Sequence, residues 1–431
     1  MLKARDRFLP RCVVLGFGSM LLFSGCLLLP HSTGHTEHHH AFIDYWPPAN
    51  STGLKLAVKD NIDMRGIVTT AGSEYLAKNS TPAPADAPCL AIARQRGVTI
   101  VGKTNMSELA VAPSGFNEYY GTPKSPLSHF HRLIPGGSSC GSAVAVARGY
   151  ADVSFGTDTA GSVRVPAACC GVVGLKTTHG LVSIHGVVPI EPRHLDTVGP
   201  IGKNIETTVK GMDLLESGFD AQYAAAKAAK PSGSSIRVGR LYVKGTNSIV
   251  DQAVDQALAR AGFQVVPLDD DFKKKWDQAK SDGNTVAAAG AWLSDGQYLT
   301  KSGISGRTKS AILAGRLSYP ILYRRALARQ QEWQHALHDV FHKVDFVALP
   351  TLQSTPPAIP PNLRIGILEV FMLDFQNTVA VNFAGNPALA MPVPVHHEKV
   401  DRTSLQLIGP PRSEAGLLNA GRIVEESVKK Q

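Results

Sequence analysis

Two short runs concentrate glycine and hydroxyl residues in a chain otherwise rich in core side chains. They are Pro135-Gly136-Gly137-Ser138-Ser139-Cys140-Gly141-Ser142 and Gly156-Thr157-Asp158-Thr159-Ala160-Gly161-Ser162-Val163-Arg164. A serine hydroxyl in such a loop is a candidate nucleophile, provided a neighbouring group takes its proton as it attacks. Neither run ends in Gly-Lys-Ser/Thr, so neither is a phosphate-cradling P-loop. A Gly/Ser run by itself is usually a turn, and a lone lysine is usually a surface charge. Lys59, however, follows the apolar run Leu54 to Val58 and precedes Asp60-Asn61, a strand end of the kind that carries active-site loops. A strand-end lysine, a serine in Gly-Gly-Ser-Ser and a serine in Gly-Ser-Val-Arg together point to hydroxyl chemistry.

The elements between these residues must bring them together. Gly141 to Arg148 reads as a helix of small residues ended by Gly149, and Ala151, Val153 and Phe155 share one face of the strand that follows. This helix and strand turn the chain back, so Ser138 and Ser162 arrive on one side of a sheet. Upstream, Asp86 as a cap, Pro88 in the first turn, Cys89 to Arg96 as helix, Gly97 as its end and Val98 to Val101 as a buried strand form an αβ unit. Ile236 to Leu268 reads strand, helix, strand, with Val250 to Ala261 as the helix. Residues 320 to 343 read as one long helix; Val344 to Leu349, Ala388 to Met391 and Leu405 to Ile408 read as strands before a C-terminal helix. The alternation predicts one α/β domain from residue 53 to 431, without internal repeats.

The same residues resemble the amidase signature family of serine hydrolases. The likeness runs from Gly53 to about Ile205 through Val58-Lys59-Asp60-Asn61, Gly102-Lys103-Thr104-Asn105-Met106-Ser107-Glu108, Tyr120-Gly121-Thr122-Pro123 and both loops. It resumes at Val347 to Thr351, Asn382-Phe383-Ala384-Gly385 and Leu405 to Pro411. Residues 206 to 320 are uninformative. The resemblance implies a central mixed, mostly parallel, twisted sheet with helices on both faces. It implies Ser162 as nucleophile, Ser138 as a bridging serine on a cis Gly137-Ser138 bond, and Lys59 as base.

Neither loop offers a histidine, which weakens a Ser-His-Asp reading. A lysine serves as base only when neutral, and burial lowers a lysine pKa by up to ~3–5 units. The family's oxyanion hole maps to the backbone N–H groups of Thr159, Ala160, Gly161 and Ser162, with Ala160 where glycine is common. Ser139 is expected to orient Lys59 or its loop, or else to cap the next helix. Asp158 and Arg164 are expected to pair and pin the loop, with substrate contact as the alternative. Asn105 to Glu108 reads as a capping signature.

The implied reaction is hydrolysis of a linear carboxylic amide through an acyl-serine, with esters open to the same machinery and no cofactor or metal required. The substrate is a small-molecule amide. Two competitors share the fold: a catalytically silent, lipid-anchored binding protein, and the glutaminase subunit of a tRNA-dependent amidotransferase. An export signal opposes the latter, whose tRNA partners are cytosolic. Many family members place one or two helices before the lysine strand, where this chain has only a tether, so a homodimer through such helices is left open.

The composition is that of a globular protein: 431 residues, 43% hydrophobic and 18% charged. The net charge of +9 includes +3 in the first eleven residues, from Lys3, Arg5, Arg7 and Arg11 against Asp6. With no long Lys/Arg run and no interleaved aromatics, nucleic acid is not an expected partner. Cys12 to Leu29 then carries no charge, the pattern of an export signal. Phe23-Ser24-Gly25-Cys26 resembles the bacterial lipobox, which implies residues 1–26 as signal peptide, Cys26 as lipidation site, and a lipid-anchored protein of the bacterial cell envelope facing periplasm or exterior. Plain secretion and an uncleaved anchor are the alternatives. Residues 27–52, with His31, His35, His38, His39, His40 and Pro47-Pro48, read as a tether; their histidines lack the fixed spacing of a metal site. Without a CxxC, pairing among Cys89, Cys140, Cys169 and Cys170 stays open.

Overall fold

A computed structural model describes residues 35–48, 53–128, 130–360 and 365–429. The signal-peptide reading, Cys12 and Cys26 lie outside the described residues. Among the described residues, eleven strands form one sheet: β1 Phe42–Tyr45, β2 Lys55–Lys59, β3 Thr99–Thr104, β4 Val153–Asp158, β5 Val173–Lys176, β6 Thr197–Gly202, β7 Arg237–Arg240, β8 Gln264–Pro267, β9 Phe346–Pro350, β10 Ala388–Pro394 and β11 Arg402–Ile408. Their spatial order is β1-β3-β2-β4-β6-β5-β10-β11-β9-β7-β8.

Helices cover both faces because the strands alternate their apolar side chains between two cores. On β9, Phe346 and Ala348 join a cluster with the helices Ile205–Asp213, Ser248–Arg260 and Glu414–Lys429. Val347 and Leu349 point the other way, into a cluster with the helices Asp270–Asp295, Gln330–Phe341 and Val379–Ala384.

Several expectations are corrected. The sheet is mixed, but only the β2–β3, β2–β4, β7–β8 and β7–β9 ladders are parallel, against six antiparallel ones. The antiparallel strands β5 and β6 lie in segments read without a strand, where glycine and proline obscure the alternation. The stretch read as a tether supplies β1, which pairs antiparallel with β3 and buries Phe42. Four residues are too few to show a period. Residues 320–343 form two helices, Ile321–Ala328 and Gln330–Phe341, that meet at Arg329, whose guanidinium turns to Asp282 2.8 Å away. The uninformative centre holds the 26-residue helix Asp270–Asp295. Asp86 does not cap; its carboxylate accepts from Arg94 and from the Arg65 backbone N–H.

Candidate active site

Lys59 is the last residue of β2, and β4 runs parallel beside it, with Val58 level with Phe155. Its side chain therefore passes along the end of β4 and is fully buried. Lys59 Nζ donates to Ser138 Oγ at 2.8 Å and to Thr157 Oγ1 at 2.7 Å. Burial lowers the Lys59 pKa to about 7, against the weaker opposing pull of Asp158 and Asp196. A substantial fraction is thus neutral at physiological pH. The adjacent Asp60 is engaged elsewhere, with Thr70 and with Lys103 at 3.6 Å.

Ser138 lies in the loop before the helix Cys140–Ala147, and the Gly137–Ser138 bond is cis. Ser162 lies in the loop between β4 and the helix Arg164–Cys170. The two loops meet where the Ser139 N–H donates to the Ser162 carbonyl at 3.2 Å. The Ser162 side chain is half-buried, and among the described residues its hydroxyl has no protein partner. Lys59 and Ser138 are thus in direct contact, while Ser162 is joined to them through backbone.

Asp158 organises the loop that carries Ser162. Its carboxylate accepts from the N–H groups of Gly161 at 2.9 Å and Val163 at 3.0 Å, and takes both Arg164 Nε and Nη2. Burial opposes its charge, but the Arg164 guanidinium outweighs that cost and holds the carboxyl well below the usual range. Arg164 also donates to the Thr378 carbonyl, Gln406 and Asn382, so this buried cation ties the loop to the C-terminal third of the chain. Of the four N–H groups expected to form an oxyanion hole, that of Gly161 is held by Asp158. Those of Thr159, Ala160 and Ser162 have no protein acceptor among the described residues. Preorganised N–H groups of this kind stabilise a developing oxyanion.

Ser139 makes no hydrogen bond to Lys59 and no side-chain cap; its hydroxyl reaches the Thr157 carbonyl at 3.4 Å, in keeping with the expectation that it orients the loop. One expectation fails in detail. Asn105 and Glu108 form no capping pair. Asn105 holds the carbonyls of His40 and Gly121, and Glu108 accepts from the Ser305 N–H.

Sequence reasoning passed over Asp196 and Thr378, and it named Thr157 and Asn382 within motifs without giving either a role. Thr157 sits inside the loop motif, on the face of β4 that meets Lys59, and strand alternation would have pointed to it. Asp196 accepts from the Thr159 hydroxyl at 2.7 Å and from the N–H groups of Ile190 and Glu191. Thr378 Oγ1 donates to the Ala160 carbonyl. Cys89, Cys140, Cys169 and Cys170 are free and buried. Among the described residues no cluster of three or more His, Cys, Asp or Glu is arranged to hold a metal.

Residues 49–418 match the family described as Amidase. The chain belongs to the amidase family. Similar curated relatives include a glutamyl-tRNA(Gln) amidotransferase subunit of Halobacterium salinarum, 32% identical over 87% of this chain and 95% of that one. The 2-amino-5-chloromuconic acid deaminase of Comamonas testosteroni is also 32% identical, over 86% and 81%. Among solved structures, an inhibitor-bound vestigial complex bearing on the evolutionary origins of an s-triazine catabolic enzyme superposes with a TM-score of 0.75. It is 26% identical, covering 87% of this amidase and 84% of that chain.

Proposed function

We propose that this amidase hydrolyses a small-molecule carboxylic amide through an acyl-serine intermediate. The Ser162 hydroxyl adds to the amide carbonyl while its proton passes to Ser138, and the Ser138 proton passes to neutral Lys59. The oxyanion is received by the N–H groups of Thr159, Ala160 and Ser162. Lys59 returns its proton through Ser138 to the departing nitrogen as the C–N bond breaks. Water, deprotonated by the same route, then splits the acyl-enzyme to carboxylate and restores Ser162. The observation that carries this reading is the fully buried Lys59, with its pKa brought to about 7, donating at 2.8 Å to Ser138. Ester cleavage by the same groups belongs to the proposal, since the charge that develops is the same.

The experiment is intact-mass measurement after fluorophosphonate treatment, for wild type and Ser162→Ala. One adduct on the wild type and none on the variant is the expected result; a well-folded wild type that takes no adduct refutes the reading.

A second reading, an amidotransferase component that passes ammonia from glutamine to a partner, is favoured by the 32% identity to the Halobacterium salinarum amidotransferase subunit over most of both chains. Glutamine hydrolysis without any partner, beside turnover of a panel of other amides, separates the two. We further propose that residues 1–26 export the domain and that Cys26 is lipidated. The basic start and the uncharged Cys12 to Leu29 support this. Cys26→Ser should leave the membrane fraction; a variant that stays there at wild-type size refutes lipidation.

A further inference from the structure

Between Gly296 and Gln331 the chain carries seven basic residues and no acidic one. This segment includes the helix Gly306–Ser318 and, after Tyr319-Pro320, the helix Ile321–Ala328. Arg307 is paired with Glu118, and Arg329 with Asp282. Lys301, Lys309, Arg316, Arg324 and Arg325 have no carboxylate partner among the described residues.

The same surface is apolar. Lys309, Leu313, Arg316 and Leu317 follow i, i+4, i+7, i+8 spacing and share the outward face of the first helix, while Thr308, Ile312 and Gly315 are buried on its inner face. On the second helix Ile321, Arg324 and Arg325 share the outward face. Leu317 is 57% and Ile321 64% exposed, and Leu313, Tyr319 and Leu322 are also exposed. Large apolar side chains are seldom left to water in such a cluster unless something covers them.

The position of the N-terminal chain says what covers them. His40 contacts the Tyr120 carbonyl at 3.1 Å, and Asn105 ties the His40 carbonyl to that of Gly121. Glu118, in the same short loop, holds Arg307 at the start of the first helix. The described chain therefore begins one loop away from the basic, apolar helix pair and nine residues after Cys26, the proposed lipidation site. Arg316 lies over the Trp292 ring and Lys301 over that of Tyr75, but cations without a carboxylate, interleaved with Leu and Ile, are the composition that lies in the plane of an anionic bilayer.

We propose that the helices Gly306–Ser318 and Ile321–Ala328 dock flat on anionic phospholipid, with Leu313, Leu317 and Ile321 in the headgroup region and Lys309, Arg316, Arg324 and Arg325 on the phosphates. This docking is independent of the reaction chemistry above. It gives the domain a fixed face toward the membrane that a lipid on Cys26 alone does not supply.

The test is hydrogen exchange of the full chain bound to vesicles of phosphatidylglycerol with phosphatidylethanolamine, and to vesicles of phosphatidylcholine. The expected result is slowed exchange within 306–328 on the anionic vesicles only, weakened at least about fivefold by R324E together with R325E and lost in L317D. Circular dichroism and fluorophosphonate labelling report that the variants remain folded. Unchanged exchange in 306–328 on vesicles that have bound the chain overturns the proposal, as does equal protection on both lipids. Protection without lipid that grows with protein concentration overturns it too, since a second copy then covers the face.

Discussion

Thr157 accepts a hydrogen bond from Lys59 at 2.7 Å, and the same hydroxyl accepts from Asn61 Nδ2 at 3.1 Å. Lys59 is therefore clamped between two hydroxyls, those of Ser138 and Thr157, with no carboxylate in contact. A carboxylate there would favour the charged lysine, whereas hydroxyls orient the amine and leave burial to set its pKa.

Thr157→Val removes one of the two partners. We expect kcat to fall about tenfold to a hundredfold, with the acidic limb of the pH profile moving to lower pH, because the variant gives the charged amine less support. Thr157→Ser should restore both quantities, and steady-state kinetics across pH 5 to 9 measures them.

On the proposed mechanism Lys59 acts as base only when neutral, so kcat/KM should rise with pH through a single ionisation near 7 and then level off. Arginine stays protonated throughout this range. Lys59→Arg should thus lose at least about a thousandfold at every pH, and a variant that regains activity at high pH contradicts the assignment.

Asp158→Asn leaves Arg164 buried without the one carboxylate that pairs with it among the described residues. Breaking a buried pair from one side costs about 3–5 kcal/mol, readable in urea unfolding. The Asp158 pKa is lower in the folded than in the unfolded chain. Its contribution is therefore complete above the ordinary carboxylate range and lost as pH falls toward the folded value. The gap between wild type and variant should shrink on acidification.

Gly161→Ala tests the Ser162 loop without touching a proposed reacting atom. Gly161 has φ of 131°, and a Cβ there would collide with Thr378 Oγ1 and stand 2.8 Å from the Thr378 Cβ. The Thr378 bond to the Ala160 carbonyl would have to give way. We expect fluorophosphonate labelling to slow at least about tenfold while circular dichroism stays that of a folded protein.

The candidate site was legible in the sequence because its parts are local. Each loop is a contiguous run of small and hydroxyl residues, and a helix followed by a strand folds the chain back between them. What escaped was what arrives from afar. Thr378, Asn382 and Gln406 reach the loop from more than 200 residues away; the runs that hold Asn382 and Gln406 were in view, but nothing local says that they meet Arg164. Thr157 was in view but carried no signal beyond its place on β4. The direction of the strands was misjudged because β5, β6 and β10 carry glycine or proline that break the alternation, and hydrogen-bond partners across a sheet leave no trace in a single strand. The strand β1 was hidden by its length and by the histidines before it.

The reach of Arg164 has a consequence for the newly made chain. Its partners at 378, 382 and 406 are synthesised 214, 218 and 242 residues after it. At about 5–20 residues per second, the ribosome needs roughly 10–50 s to deliver them. Until then the guanidinium has no complete set of acceptors and the loop bearing Ser162 is unfinished. On the proposed mechanism, the growing polypeptide should therefore not turn over amides until almost the whole length has emerged.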